Sequence, residues 1–304
     1  MKRIRLLLLS FVLVLLVVVL LVTQVNWRES VLFAAVFNNP HCGVSDGMAA
    51  YELWNSLRER HVKVVGSTRV VKTDPGAGLE LRSTPRGQIW IPVNDVSGLE
   101  YVLAEQEAHI YGEGARGVQQ GDIVLDCGAY VGTFSRLALD AGAKLVVAVE
   151  PVPEKVECLR RNFGAEIEAG RLLIYPKGVW DKEELLPLHK HSKQSGGDSF
   201  VLDRDTTSEE LQLTTIDQLV KELRLERVDF IKMDIEGAEG RALRGGASTI
   251  RAHHPGLALA VYHLPTDRQT IPEQVRELWP GYQSVCSVCQ LQGGRLAPDI
   301  MLFY

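Results

Sequence analysis

Three stretches of the sequence carry residues whose types and spacing suit chemistry. The first is IVLDCGAYVGTFSRLALDAG, residues 123–142, in which Asp126 precedes Gly128, Ala129 and Gly132. An apolar run ends in an acid and glycines follow. Phe134, Leu137, Ala138 and Ala141 then recur at helical spacing, so the stretch reads as strand, turn and helix. Bare backbone at the glycines and unpaired N–H groups at the helix start admit a ligand closely. Glu150 follows Asp126 by 24 residues, at the end of the next apolar run, where an acid can take both hydroxyls of a ribose, with Pro151 beside it.

The ligand class follows from charge. A dinucleotide fingerprint runs G-x-G-x-x-G, whereas here the order is D-x-G-x-x-x-G, with an acid ahead of the glycines. Asp126 would repel a pyrophosphate and attract a sulfonium with its ammonium group. S-adenosylmethionine therefore fits better than a nicotinamide dinucleotide, and a nicotinamide-dependent oxidoreductase stands as the alternative enzyme. The second stretch, IKMDIEGAE, gathers Asp234, Glu236 and Glu239 at the end of another apolar run. Such carboxylates can bind a divalent metal, orient an acceptor hydroxyl or hold the methionine end of the cofactor. Glu239 can equally serve only a helix N-terminus. The third is VYH, whose His263 lies level with the other two and is a candidate proton acceptor, with Asp267 four residues on. Asp234 and His263 are thus the catalytic candidates, and Glu236 and Glu239 the substrate or metal candidates. A basic stretch with His189, Lys190, His191 and Lys193 is a candidate contact for an anionic acceptor.

These residues need a scaffold, and the sequence between them alternates strand and helix patterns from about Gly121 onward. The closing segment, with Tyr282 to Gln290, Gly293-Gly294 and Asp299 to Tyr304, reads as an antiparallel hairpin. We therefore expect a doubly wound α/β fold with a mostly parallel seven-stranded sheet and one reversed strand at its edge. Ser97 is placed to cap the helix before the core, Pro153 and Pro272 to open two later ones, and Thr215 with Gln218 to form a capping box. Residues 62–93 hold the turns Asp74-Pro75-Gly76 and Pro85-Arg86-Gly87 between short strands, and residues 47–61 look like a short helix.

At the N-terminus Lys2, Arg3 and Arg5 precede Leu6 to Val22, a run without charge and long enough to cross a bilayer. We expect a membrane anchor over residues 1–25, a juxtamembrane spacer and small β addition over 26–96, and a methyltransferase-like domain over 97–304. The positive-inside rule directs the domain away from the cytosol, where S-adenosylmethionine is chiefly made, so the side of the membrane stays open. A membrane-tethered binding protein without catalysis is the corresponding alternative. With a net charge of −5 the chain carries no footprint for nucleic acid. Its five scattered cysteines suggest buried thiols rather than a disulfide framework, and Cys286-x-x-Cys289 falls in a strand pattern without a second pair or nearby histidines.

From about Gly87 to Tyr304 the chain resembles the FkbM family of S-adenosylmethionine-dependent methyltransferases, within the seven-stranded Rossmann-like class. The ordered motifs are EQEAHIYG, GDIVLDCGAYVGTFS, AVEPVPE, TTIDQL, IKMDIEGAE with LRGG, and VYHLPTD with IPEQV. The resemblance implies methyl transfer to a hydroxyl of a sugar, polyketide or related small acceptor. It also implies that Asp126, Gly128 and Gly132 line the cofactor, with Glu150 at its ribose and Pro151 beside the adenosine. Where the family often has Asn, this chain has Tyr130.

Overall fold

Strand β4 (Ile123–Cys127) is buried along its whole length, because helices cover both faces of the sheet in which it stands. The computed structural model describes residues 43–93, 95–191, 195–292 and 295–304. Alternation along the strands sorts side chains into two cores. Leu125, Cys127, Ile231 and Met233 enter one, and Val124, Ala148, Phe230 and Ala258 enter the other. Parallel to β4 run β5 (Leu145–Val149) and β6 (Leu172–Tyr175) on one side, and β10 (Phe230–Met233) and β11 (Gly256–Ala260) on the other. Two further strands, β12 (Ser284–Gln292) and β13 (Arg295–Phe303), complete a sheet of seven in the order β12-β13-β11-β10-β4-β5-β6. The chain moves outward from β4 through β5 to β6 and then returns to β4's other side. The topological switch point therefore lies between β4 and β10, where ligands bind in open sheets of this kind.

The reversed strand is not at the edge. β12 (Ser284–Gln292) takes the edge, and the last strand, β13 (Arg295–Phe303), inserts between it and β11, antiparallel to both. Pairing on two sides satisfies the backbone groups of β13 and buries Ile300, Met301 and Phe303. Helix α1 (Val44–Ser67), longer than the sequence suggests, packs beside β12. The predicted β addition is an antiparallel meander of β1 (Arg69–Asp74), β2 (Leu79–Thr84) and β3 (Gly87–Pro92). It is fastened to α4 (Pro153–Asn162), whose Asn162 accepts the Trp90 N–H at 2.7 Å and donates to the carbonyls of Trp90 and Val131 at 3.0 Å.

Two helix starts differ from expectation, and the polar stretch after β6 proves to be structured. Helix α2 (Val96–Glu107) begins one residue before Ser97, with Asp95 as its N-cap. The carboxylate of Asp95 is taken by the Tyr130 hydroxyl instead of the helix amides. The helix holding Pro272 (Asp267–Leu278) opens at Asp267, whose carboxylate accepts the Leu264 N–H and fixes the preceding turn, so Pro272 lies inside it. The polar stretch after β6 forms a second small sheet of β7 (Gly178–Val179), β8 (Glu184–Lys190) and β9 (Thr206–Thr214). The Thr215 cap is present, its hydroxyl accepting the Gln218 N–H at 3.0 Å.

Cys127, Cys158 and Cys289 are buried and take part in no disulfide. Cys286 is disulfide-bonded and not with Cys289, so the CxxC pair is neither a thiol pair nor a redox couple. Among the described residues no helix is long and apolar enough to cross a membrane, and the anchor expected over residues 1–25 lies outside them.

Candidate active site

Three neighbouring cavities open at the carboxyl ends of β4, β5 and β10, and Asp234 lines them all. The first, with about 560 Å³ of empty space, has apolar walls from Val149, Val179, Leu188 and Ile235, and Glu150 and Pro151 lie at its edge. The second, about 830 Å³, shares Gly128, Tyr130 and Glu236 with the first and adds Ala129. The third, about 740 Å³, shares Tyr101, Glu105 and Tyr262 with the second and reaches Asp299. Apolar walls with a few convergent polar groups are the usual make-up of a small-molecule site.

Glu150 stands one residue past β5 and is buried. Its Oε2 accepts the Tyr130 N–H at 2.9 Å and its Oε1 the Val152 N–H at 3.0 Å. Each oxygen keeps a lone pair for a ligand hydroxyl. Burial raises its pKa above the ordinary range, against the pull of Lys155 and these two amides. Lys155 is itself buried and ion-paired with Asp198 at 3.1 Å. Burial opposes its charge, yet Glu150 and Asp198 outweigh that and keep the ammonium above its usual pKa.

Asp126 lines none of the three cavities. It is fully buried, and the parallel register sets it directly beside Lys232 of β10. The Lys232 ammonium lies 3.4 Å from Asp126 Oδ1, and the Ser135 hydroxyl donates to Oδ2 at 2.7 Å. A carboxylate already neutralised beneath the turn is not free to meet a sulfonium directly. Instead Lys232 also donates to the Gly128 carbonyl at 2.9 Å, so the pair braces the turn from below. Gly132 likewise lines none of the three cavities. At φ +93° it lets the chain pass the Phe163 ring, where a Cβ would come within 2.1 Å of the ring edge. Gly128, at φ +79°, does line the first two cavities. Its missing Cβ admits the Asp234 carbonyl of the neighbouring loop. The turn glycines therefore serve chain packing first. Tyr130 adopts φ +53° and its hydroxyl donates to buried Asp95 at 2.6 Å, which ties the turn to α2.

The acidic stretch after β10 separates into two roles. Glu239, the first residue of α7 (Glu239–Gly245), is fully buried and accepts the N–H groups of Ile235 at 2.9 Å and Gly237 at 3.0 Å. It also holds His263 Nδ1 at 2.9 Å, so it organises the loop and does not enter a cavity. Asp234 and Glu236 do. Asp234 Oδ2 accepts the Tyr111 hydroxyl at 2.5 Å, and Glu236 Oε2 pairs with Arg204 at 2.8 Å. His263, three residues past β11, directs Nε2 toward Asp234 at 3.4 Å and Glu236 at 3.5 Å. Burial would lower its pKa, but Glu239, Glu236 and Asp234 together hold it well above the ordinary value. A ring so protonated does not suit the proton-acceptor role expected of it. Asp267 is spent on its turn, and Lys190 of the basic stretch pairs with Glu154 at 3.4 Å; Lys193 lies outside the described residues.

Lys232, Tyr111, Arg204, Glu105 and Tyr262 were not anticipated from sequence. Lys232 alone left a local signal, a charge inside the apolar run Phe230–Met233.

A model of the methyltransferase FkbM domain matches residues 126–284. The chain belongs to the FkbM methyltransferase family. Its matched part runs from Asp126 to the start of the edge strand and takes in Gly128, Glu150, Asp234, Glu236 and His263, whereas Tyr101, Glu105, Tyr111 and Asp299 of the second and third cavities lie outside it. A crystal structure of FkbM methyltransferase from Methylobacillus flagellatus is similar at 21% identity and a TM-score of 0.48, over 70% of this chain and 55% of that one. This chain thus spans about half the length of that relative. A putative RNA methyltransferase from Pyrococcus horikoshii is similar at 16% identity and a TM-score of 0.37, over 82% of this chain and 96% of that one. A precorrin-6y C5,15-methyltransferase from Geobacter metallireducens is similar at 11% identity and a TM-score of 0.38, over 62% and 81%. No curated protein matches.

Proposed function

We propose that this FkbM-family protein transfers the methyl group of S-adenosylmethionine to a hydroxyl oxygen of a sugar, polyketide or related small acceptor. The observation that carries this reading is the pair of cavities meeting at Gly128, Tyr130 and Asp234, at the switch point of the sheet, with Glu150 in the first. The adenosine lies against Val149, Val179 and Ile235 with its ribose on Glu150, and the methionine end passes Gly128 and Ala129 toward Asp234. The acceptor enters from the side of Tyr101 and Tyr262, whose rings suit the flat faces of a sugar or an unsaturated chain. In the reaction the acceptor oxygen forms a bond to the methyl carbon while the carbon–sulfur bond breaks. The thioether leaves neutral and the hydroxyl proton is released to solvent. The cofactor supplies the reactive methyl, and the protein's part is alignment and exclusion of water.

Calorimetry of the full chain in detergent with S-adenosylhomocysteine tests the cofactor half. Glu150→Ala is expected to weaken binding by about tenfold or more, since it removes an acceptor and leaves two buried amides unpaired. Unchanged affinity takes Glu150 out of the site. A screen with labelled cofactor against candidate acceptors tests the transfer.

We further read residues 1–25 as an uncleaved anchor. The basic residues ahead of the apolar run support a domain facing away from the cytosol. The disulfide at Cys286 supports the same side, since such bonds persist in oxidising compartments.

A further inference from the structure

We infer that Asp234 Oδ1, Glu236 Oε1 and His263 Nε2 form a binding site for a divalent metal ion of the manganese or magnesium kind, set between the cofactor and acceptor cavities. One ligand atom from each of these residues lies within 4.8 Å of the others. Ligand atoms around an ion about 2.1 Å away sit about 3.0 Å apart when adjacent and about 4.2 Å when opposite. The distances from Nε2 to the two carboxylates, 3.4 and 3.5 Å, lie between those limits.

The stronger argument is how the three side chains are held. Each is fixed by the atom that faces away from the gap. Tyr111 takes Asp234 Oδ2, Arg204 takes Glu236 Oε2, and Glu239 takes His263 Nδ1. The three inward atoms are left to one another. His263 Nε2 is buried, on a side chain only 3% exposed, and has no hydrogen-bond partner. A buried nitrogen without a hydrogen bond is costly, and the two carboxylates it faces stand at ion-pair distance, too far for good hydrogen bonds. A carboxylate on Nδ1 is also the arrangement that fixes the tautomer of metal-binding histidines and strengthens their other nitrogen as a ligand. The gap accepts positive charge either as a proton on Nε2 or as an ion that replaces it. Two carboxylates and one imidazole form a mixed, mainly hard donor set that suits manganese.

Position gives the ion its task. Asp234 lines all three cavities and Glu236 the first two, so an ion here sits beside the acceptor oxygen. Resting on the methyl-transfer reading, the ion holds that oxygen and eases loss of its proton to water before the methyl arrives. The favoured acceptor then presents an oxygen with a second donor beside it, such as the neighbouring hydroxyl of a diol, able to chelate the ion.

The test titrates the full chain in detergent with Mn²⁺, following loss of the free-ion paramagnetic resonance signal. One tightly bound ion per chain is expected, weakened about tenfold or more in Asp234→Asn and in His263→Gln. Asp299→Asn, an acidic change in the same cavity but outside the three ligands, leaves it essentially unaltered. Binding of S-adenosylhomocysteine to each variant reports whether it folds. No Mn²⁺ uptake by the wild type, or uptake equal in all variants, overturns the metal site. Retained S-adenosylhomocysteine binding in that case leaves the methyl-transfer reading standing, whereas its absence from the wild type overturns that reading separately.

Discussion

Glu105 is an unusual ionisable group in the wall of the second and third cavities. Burial in the wall of the second and third cavities, with Asp234, Asp299 and Glu236 nearby, raises its pKa to about 8 against the partial relief from Lys232. At neutral pH it is therefore a carboxylic acid, with an O–H that can donate in the cavity it lines. The sign of the stability effect follows by linkage. The folded chain keeps a proton that the unfolded chain loses above its ordinary value of 4.5, so the contribution is full below that value and declines as pH rises to about 8. Relative to the wild type, Glu105→Gln should gain thermal stability progressively from about pH 5 to pH 8 and level off beyond. A difference that stays constant across that range, in melting curves at several pH values, would show that Glu105 ionises normally.

At the scale of elements, the meander of β1, β2 and β3 is held to the domain largely through Asn162. Its amide makes a reciprocal pair with the Trp90 backbone and a third bond to Val131. Asn162→Ala should cost about 2–3 kcal/mol and open the β3 amides to solvent. Hydrogen exchange at Trp90 that is no faster in the variant would place the attachment elsewhere, for instance in the Arg161–Asp74 pair. Elements are also where the sequence is most and least legible. Apolar runs, glycines and prolines are local signals, and they located β4, β5, α4 and the cap at Thr215. Register is not local. Nothing in IVLDC says that Asp126 will lie opposite Lys232, so an acid that reads as a cofactor contact proves to be a brace. Gly132 misleads in the same way, because the ring that requires it, Phe163, comes from another helix. Glu150 was legible since its position depends only on ending a strand next to the switch point. Tyr111 and Arg204, which hold the acidic pair, approach from separate elements and leave no pattern of spacing.

For the whole molecule, the proposed anchor carries a prediction about the side of a membrane that the domain faces. The anchor reading predicts that protease added outside intact cells digests the domain, and that digestion of the same domain inside sealed cytosolic vesicles requires detergent. Protection in intact cells together with exposure on the cytosolic face would invert the topology and remove the need for exported cofactor. The long uncharged run near the N-terminus is the signal on which the anchor reading rests. Orientation depends on a handful of charges and on the compartment that stabilises the disulfide at Cys286.

The place of β13 sets an order on how this molecule comes into being. The strand nearest the C-terminus lies inside the sheet, with β11 on one side and β12 on the other. Until β13 enters between them, β12 has no partner in the sheet and the wall bearing Asp299 and Ile300 is missing. The strands around Glu150, β4, β5 and β10, pair with one another without it. The cavity that Asp299 lines is therefore the last part of the fold to close.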